Sequence, residues 1–484
     1  MDFNGVTPYD ELVEKWSPIL NHDDMPSIED GYRKKCTAAL LENQEQALKE
    51  QALYETPLNA AGSNGLAGVG GAAKPLGGYD PILISLVRRA MPNLMAYDVA
   101  GVQPMNAPTG LIFALKAQYG SNNAQTSTDR NNEALFNEVG NHGGTAGSTG
   151  PLPAAGTTFD SWDPLLGFTA GSISLGRGME REEGEALGGT DHFAQMAFSI
   201  ERTSVEAKTR ALKAEYTTEL AQDLKAVHGL DAETELANIL STEILAEINR
   251  EIVRTIYGVA KLGAKQKDLS FYKTSAARGG IYDVKGDADG RWAAERWRGL
   301  MFQIEREANV IAKETRRGKG NVVICDSDTA SALAMSGFLN ISPALNTNLN
   351  VDDTGNTFAG VLNGKFKVYI DPYVPTTGGK LGAGNNVAAT VGHNYACVGY
   401  RGTNPYDAGL FYCPYVPLQM VRAVGENTFQ PKIGFKTRYG LVSNPFVTTT
   451  GELNGTPDGQ TLTVRKNQYY RIFRIVNLHG QDGN

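Results

Sequence analysis

The residue types that most often carry catalysis are present in this chain, but their spacing does not group them. The histidines form no HxxH or HExxH pair, the pattern that brings two imidazoles to one zinc ion. There is also no GxSxG motif for a nucleophilic serine. The sequence therefore predicts neither a metal site nor a catalytic centre. The six histidines are His22, His142, His192, His228, His393 and His479.

The cysteines also lack the spacing of a functional pair. They stand far apart, and no CxxC motif indicates a zinc ligand set or a redox-active disulfide. We therefore expect reduced thiols, most of them buried in the core. The four cysteines are Cys36, Cys325, Cys397 and Cys413.

Three glycine-containing loops come close to phosphate-binding motifs, and each lacks a required part. The run Gly360–Lys365 is one residue shorter than a Walker A loop, and Phe366 stands where the Mg²⁺-binding serine or threonine is needed. The loops at 378–380 and 316–320 are not followed by the helix N-terminus that completes an anion site. We expect no nucleotide and no other cofactor.

The acidic segment 283–295 has part of the pattern of a calcium-binding EF-hand. With Gly290 at the sixth loop position, Lys285 falls on the first ligand position, where its charge repels the ion. We therefore interpret Asp287 or Asp289 as the cap of a helix that begins near residue 291.

Net charge is distributed unevenly along the 484 residues. The whole chain has 45 basic and 53 acidic residues, whereas residues 1–55 alone have five basic and twelve acidic ones. An N-terminal segment with a charge of −7 thus precedes a body with a charge of −1. Without a basic surface, sequence-specific nucleic-acid binding is disfavoured. No apolar run reaches the roughly 18 residues of a membrane span, and the acidic N-terminus does not have a signal peptide pattern, so we expect no membrane contact.

Helices are predicted where apolar residues recur at three- and four-residue spacing between end signals. Thr203 and Glu206 have capping-box spacing, and leucines and a tyrosine then recur every four residues until Gly229. Pro57 ends the helical pattern of the acidic segment, and Trp292 is predicted to face inward from the last helix. The predicted helices cover residues 27–55, 203–228, 231–258 and 291–314.

Short β-rich runs separated by Gly, Pro and Asn dominate after about residue 320. Because helices precede strands and no βαβ repeat is present, the sequence predicts an α+β fold and disfavours a doubly wound nucleotide-binding fold. A Gly/Ala-rich linker or arm is predicted at 59–78, and a projecting loop at 121–190. The predicted strands are 321–326, 365–373, 395–401, 409–416, 432–442 and 469–478.

One of five long stretches with a specific family resemblance is FQPKIGFKTRYGLVSNPF, at 429–446. The five stretches resemble the major capsid proteins of T-even-type tailed phages, and they occur in that family's order. The resemblance is weakest at 121–190. It implies a Hong Kong-97-type capsid fold and a structural protein that is not an enzyme and has no cofactor, metal or catalytic residue. The five stretches are 87–120, 206–252, 301–321, 358–373 and 429–446.

The resemblance also implies a division of the chain into units. Residues 203–228 resemble the long spine helix of the peripheral domain. The implied units are an acidic N-terminal propeptide (1–55), an N-terminal arm (56–100), an extended loop region with a possible reduced insertion (101–200), a peripheral domain (201–321), an axial domain (322–450) and a C-terminal return to the peripheral domain (451–484).

Proteins of this family are made with a propeptide that a prohead protease removes after a Glu preceded two positions earlier by Leu or Ile. Glu55, with Leu53 as the recognition residue, is the favoured position because it precedes Pro57 and the Gly-rich stretch. Glu50 and Glu42 are alternatives. The competing interpretation is a solvated N-terminal helix that the mature protein keeps.

The implied function is self-assembly into hexameric capsomers of an icosahedral or prolate head shell that encloses phage DNA and contacts it only non-specifically. The implied partners are further copies of the chain, the vertex capsid protein, the portal, the internal scaffold, the prohead protease and decoration proteins. The resemblance further implies a late protein of the virion that is assembled in the host bacterial cytoplasm. Alternatives are a pentameric vertex subunit, an encapsulin-like compartment shell, or a cytoplasmic enzyme with an unusual site.

Overall fold

Helices and strands both contribute to the part of the chain that the computed structural model describes. It comprises residues 8–22, 28, 30–59, 88, 91–120, 185, 195–264, 280–286, 288, 290, 292–340, 357–374, 394–404, 406–425, 430–444, 462, 464–476 and 478. The α+β prediction is confirmed. Nearly all of the predicted linker at 59–78, and all but residue 185 of the predicted projecting loop at 121–190, lie outside the described residues.

Seven α-helices and one short 3-10 helix, Met91–Asn93, lie in the described ranges. Three of them confirm the helices predicted at 27–55, 231–258 and 291–314, whereas the first was not predicted. The α-helices are α1 (Pro8–Leu20), α2 (Gly31–Asn59), α3 (Ala96–Val99), α4 (Thr218–His228), α5 (Ala232–Val259), α6 (Ala293–Thr315) and α7 (Ser327–Met335).

All six predicted strands are present among the fourteen that the described residues form. The strands are β1 (Gly101–Val102), β2 (Thr109–Gly120), β3 (Gln195–Glu206), β4 (Lys208–Glu215), β5 (Ala260–Leu262), β6 (Ile281–Asp283), β7 (Val322–Cys325), β8 (Leu339–Asn340), β9 (Thr357–Leu362), β10 (Phe366–Ile370), β11 (Asn394–Gly399), β12 (Leu410–Val424), β13 (Pro431–Ser443) and β14 (Asn467–Val476).

The helix predicted over 203–228 is wrong for its first half. Residues 203–206 belong to β3 and residues 208–215 form β4, so only Thr218–His228 is helical. The cause is tertiary: β4 lies antiparallel to β13 and satisfies its backbone hydrogen bonds there, which overrides the local four-residue spacing. The helix begins after Thr217, whose hydroxyl accepts from the backbone N–H of Leu220 at 3.2 Å.

The strands form two sheets and a separate ribbon. The large sheet has the order β5-β14-β11-β7-β10-β9-β8, with β6 also beside β14. The small sheet has the order β1-β12-β13-β4, and β2 pairs with β3 as the ribbon. The predicted unit 322–450 therefore contributes β7–β11 to the large sheet and β12–β13 to the small one. The C-terminal strand β14 lies inside the large sheet.

Helix α5 carries the apolar stripe that its sequence predicts, and this stripe lies against the sheets. Leu240, Ile244, Ile248, Ile252 and Ile256 are all buried. The helix contacts β4 and β13 of the small sheet and β14 of the large one. It therefore occupies the space between the two sheets, where burial of each such side chain stabilises the fold by about 1.5–3 kcal/mol.

Two expectations for the start of α6 are wrong. The helix is capped at Trp292, whose backbone N–H donates to Glu295 at 3.4 Å, so neither Asp287 nor Asp289 is its cap. Trp292 does not face inward but is 72% exposed, because it stands before the first helical turn and off the buried stripe.

A buried network of charges fastens α6 to the large sheet. The guanidinium of Arg471 in β14 donates to Glu307 at 3.3 Å and to Glu314 at 2.5 Å, both on α6. Glu307 also accepts from the backbone N–H of Ala264 at 2.8 Å, and Lys261 pairs with Glu314 at 3.1 Å. Several hydrogen bonds per carboxylate offset the cost of removing these charges from water.

The segment Met91–Met105, here called the seam, connects α5 and both sheets. Its β1 pairs in parallel with β12 of the small sheet. The carbonyl of Val99 accepts from the Tyr470 hydroxyl of the large sheet at 2.8 Å, and the backbone N–H of Met95 donates to Asn249 of α5 at 3.1 Å. Anything that holds the seam therefore acts on both sheets.

Within the described ranges, the structure contains no helix with the length and apolar character of a membrane span.

Candidate functional site

Helices α1 and α2, here called the N-terminal pair, pack against each other through apolar and charged contacts. Trp16 and Leu41 belong to the buried core. Lys15 forms ion pairs with Glu42 at 2.6 Å and Glu45 at 2.7 Å, and the indole N–H of Trp16 donates to Glu42 at 3.1 Å. Because the Lys15 ammonium donates hydrogen bonds to these two carboxylates, its pKa is raised above its usual value. The pair is thus a defined substructure.

The N-terminal pair is docked on the rest of the chain, here called the body (Arg88 onward). The amide of Asn43 donates to the carbonyl oxygens of Met105 at 2.7 Å and Tyr415 at 2.9 Å. The Tyr32 hydroxyl donates to the Val102 carbonyl. Asn43 is buried, so these bonds are made away from water. The interpretation of the acidic segment as a solvated helix is therefore wrong for its central part.

Charged contacts extend the docked surface. Arg33 donates to the carbonyl of Pro92 at 2.9 Å and pairs with Asp98 at 2.9 Å, while its guanidinium lies 5.4 Å from the centre of the Tyr97 ring. From the body, buried Arg88 donates to the carbonyl of Leu20 at 2.8 Å. The contacts thus come from both helices and meet the body at Arg88, at the seam and at β12.

The three predicted cleavage positions all lie in α2, but in different surroundings. Glu42 follows the buried Leu40 and holds the ion pair with Lys15, so a protease would have to undock the helix to reach it. Glu50 and Glu55 lie further along the same helix, which ends at Asn59. The docked contacts thus disfavour Glu42, and the choice between Glu50 and Glu55 stays a prediction.

The ribbon of β2 and β3 is the second feature that could meet another molecule. Its register runs without a break from Thr109 opposite Glu206 to Gly120 opposite Gln195, which makes it about 40 Å long. At its root, Ile112 and Val205 are buried in a small cluster with Phe411. The ribbon is therefore fastened to the small sheet at one end.

The opposite face of the ribbon exposes apolar side chains. Leu111 is 45% exposed, Phe113 50% and Ile200 67%. The register places these three residues on one face because Ile200 lies opposite Leu115, two residues from Phe113. Large apolar side chains clustered on one exposed face indicate an interaction surface.

Other motifs from the sequence have structural roles. The run Gly360–Lys365 contains the tight turn between β9 and β10, where Asn363 and Gly364 have φ of 50° and 67°. In the loop 316–320, Arg316 ends α6 with φ of 54°. The described residues include no cluster of His, Cys, Asp and Glu that could hold a metal ion, and of the histidines only His22 and His228 are described.

The expectation of buried, unpaired cysteines is confirmed for all four. Each is free and buried, and burial raises the thiol pKa, to about 12 for Cys36, Cys397 and Cys413 and further for Cys325. Such thiols stay protonated at neutral pH and are poor nucleophiles.

A cleft between α5 and the root of the ribbon is lined by several charged side chains. Arg210 pairs with Glu247 at 2.6 Å and with Glu251 at 2.5 Å, and the Tyr439 hydroxyl donates to Glu251. The lining holds two basic residues, Lys208 and Arg210, and two acidic ones, Glu206 and Glu251. Because these charges balance, the cleft offers little attraction for an ion, and we interpret it as structural.

Sequence reasoning missed α1 and the docking residues of α2. Leu12, Trp16 and Leu20 recur at four-residue spacing, a signal that predicts α1. Asn43 and Tyr32 carried no comparable signal, because single polar residues are common on helices.

Comparisons with known proteins agree with one another. The family model for "Major capsid protein Gp23" matches residues 76–475. The major capsid protein of Salmonella phage ViI is 36% identical over 476 residues, covering 97% of this chain and 98% of that protein. The major capsid protein of Enterobacteria phage T4 is 34% identical over 538 residues, covering 97% and 99%.

Two further similarities are more distant. The capsid vertex protein of Enterobacteria phage T4 is 27% identical over 269 residues, covering 54% of this chain and 55% of that protein. The solved capsid of Myoviridae phage XM1 is 11% identical with a TM-score of 0.35, covering 77% and 89%. The family match and the near-complete relatives together show that the chain belongs to the major capsid protein Gp23 family, and that it is a structural protein of the virion capsid and not an enzyme.

Proposed function

We propose that this chain assembles into hexameric capsomers of an icosahedral or prolate head shell that encloses phage DNA. The observation that carries the proposal is the ribbon, whose root is buried in the small sheet and whose outer face exposes Leu111, Phe113 and Ile200. An apolar face of this kind is stabilised when another copy covers it, and head-to-tail contacts between identical chains close into rings.

A hexamer role is favoured over the pentameric vertex role by the extent of the similarities. The major capsid relatives match 97% of the chain, whereas the vertex protein matches 54%. In this proposal the shell also meets the vertex protein, the portal, an internal scaffold, a prohead protease and decoration proteins, and it is built in the host cytoplasm. DNA is contacted only non-specifically, since the body has a net charge of −1.

The proposed fold is of the Hong Kong-97 type, with its units defined by the sheets. The large sheet is the axial unit, and α5 with the small sheet belongs to the peripheral unit. In this division the range 322–450 splits after β11, and β14 joins the axial unit because it pairs with β11 there. The strand pairing supports this division into an axial and a peripheral unit, because paired strands move together as one rigid layer.

The N-terminal segment is proposed to be a propeptide that is removed after Glu55, with Leu53 as the recognition residue. Its support is the charge of −7 in residues 1–55 and the position of Glu55 in α2 beyond the docked contacts. Cleavage there removes α1 and all of α2 except its last four residues, and it leaves the body intact. The segment from residue 56 onward then becomes the N-terminal arm.

The assembly surface is tested by changing Phe113 on the exposed face of the ribbon. Phe113→Asp places a charge where a neighbouring copy would bury an aromatic ring, so we expect the number of assembled particles to fall at least ten-fold. Phe113→Leu keeps the face apolar and is the matched control. Electron microscopy counts the particles, and circular dichroism reports whether the unassembled chain is folded. Normal assembly of a folded Phe113→Asp chain would contradict the proposal.

A further inference from the structure

We infer that the N-terminal pair is a clasp that stays docked on the body after the chain is cut, so that cutting and release are two separate steps. The inference rests on the proposed cleavage after Glu55. Contacts with the body hold the pair in place once the covalent connection is gone, and while the pair remains it connects several parts of the body.

Among the residues whose side chains the structure describes, the hydrogen bonds that dock the pair come from positions well before the predicted cut. They involve Leu20, Tyr32, Arg33 and Asn43, and the last of these is twelve residues before Glu55. Breaking the peptide bond after Glu55 removes none of these contacts. The cut changes only the connection, from an intramolecular one with a high effective concentration to a bimolecular one.

The hydrogen bonds of Asn43 depend on how two parts of the body are arranged. Its amide reaches Met105 of the seam and Tyr415 of β12 at the same time, at 2.7 and 2.9 Å. Both acceptors keep these distances only while the seam and β12 hold their present positions. Asn43 is buried, so its removal leaves two carbonyl groups without this donor.

The clasp also reaches the large sheet, through Asp98 of the seam. One carboxylate oxygen of Asp98 accepts from Arg33 of the clasp at 2.9 Å and from Lys367 of β10 at 3.4 Å. With Asn43 bound to Tyr415 of the small sheet, the clasp connects elements of both sheets across the seam. Its release therefore removes contacts that hold the sheets in one relative position.

The face beneath the clasp is rich in hydrogen-bond acceptors. The carbonyls of Val102, Met105 and Tyr415 and the carboxylate of Asp98 accept from phenol, amide and guanidinium donors of the clasp. Such a face fits a helix that carries donors, and in this chain α2 supplies them. We therefore assign the face to the chain's own N-terminal pair, before and after the cut.

The test separates the cut from the release. In the full-length chain, the recognition sequence of a site-specific protease is inserted directly after Asn59, the last residue of α2. The chain is cut at about micromolar concentration and passed through a size-exclusion column. We expect the N-terminal pair to co-elute with the body. Elution of the pair as a free peptide immediately after the cut would overturn the inference.

A variant and a matched control show which contact holds the pair. Asn43→Ala removes the donor that the carbonyls of Met105 and Tyr415 share, and we expect it to raise the dissociation constant of the cut pair about ten-fold or more. Gln46→Ala removes an exposed amide on the same helix and should leave retention unchanged. Equal retention of the two variants would contradict the role given to Asn43. Because the cut is engineered, neither result depends on where the natural protease acts.

Discussion

At the scale of single residues, Asp326 is a buried carboxylate at the start of a helix. Asp326 caps α7 by accepting from the backbone N–H of Thr329 at 3.3 Å and from its hydroxyl at 2.5 Å. It also accepts from the backbone N–H of Tyr395 in β11 at 3.2 Å. One side chain thus joins a helix to the large sheet.

Burial raises the pKa of Asp326, although the hydrogen bonds from Thr329 and Tyr395 act in the opposite direction. A carboxyl whose pKa is higher in the folded chain than in the unfolded one binds more protons when folded. Its contribution to stability therefore increases as pH falls through the folded pKa toward the ordinary value of 3.8. The fold tolerates the buried, ionised carboxylate at neutral pH because its oxygens accept the hydrogen bonds that cap the helix.

We predict that Asp326→Asn and Asp326→Ala lower the free energy of unfolding by different amounts, and that both lose the pH dependence that the Asp326 carboxyl contributes. Asparagine keeps a capping oxygen, whereas alanine removes it and should cost about 1–2 kcal/mol of unfolding free energy more. Because asparagine does not titrate, the free energy of unfolding of the wild type relative to that of Asp326→Asn should increase as the pH is lowered from 7 to 4.5. Urea denaturation of the unassembled chain at both pH values measures this, and a pH-independent difference would contradict it.

At the scale of elements, the position of the ribbon depends on one close approach at its root. A Cβ atom on Gly440 of β13 would lie 2.6 Å from Val205 Cγ2 and 2.7 Å from the backbone oxygen of Glu206. Backbone atoms cannot move aside as a flexible side chain can. Glycine at this position therefore sets how closely β3 passes over the small sheet.

We predict that Gly440→Ala displaces the ribbon and reduces assembly. Overpacking at the root should cost about 1–3 kcal/mol of stability and lower the yield of particles. Gly434→Ala is the matched control on the same strand, because its Cβ would have only ordinary contacts of 3.7 Å or more. Electron microscopy with urea denaturation compares the two, and equal yields would show that the root does not position the ribbon.

The elements that sequence could predict are those whose ends are set locally. Helix α5 starts at the Asp231 cap, and the turn between β9 and β10 is specified by Asn363 and Gly364. By contrast, β4 has four-residue spacing and becomes a strand only because β13 lies beside it. The docking of Asn43 depends on residue 415, which is 372 positions away in the chain, so no local pattern could reveal it. The resemblance to a family supplied the function that no motif carried.

At the scale of the whole molecule, the N-terminal segment holds nearly all of the net charge and also docks on the body. Residues 1–55 carry a charge of −7 and the body a charge of −1. The described contacts attach the pair to the body at Arg88, the seam and β12, whereas the two sheets share α5 between them. A single detachment can therefore change the charge of the shell, and it also removes the contacts that connect the two sheets through the pair.

We predict that the chain in mature particles starts at Thr56, and that Glu50→Gln combined with Glu55→Gln blocks both cleavage and DNA packaging. A retained segment leaves negative charge and bulk inside the shell for every copy, and like charges repel the phosphates of incoming DNA. Mass spectrometry of the N-terminus and the DNA content of purified particles measure the two effects.

Glu11→Gln is the control, since it removes one exposed charge of the same segment and leaves both cleavage positions intact. Particles of the double variant that keep the segment and still fill with DNA would contradict both the steric and the electrostatic argument, whereas a wild-type chain that still begins near Met1 would contradict the cleavage itself.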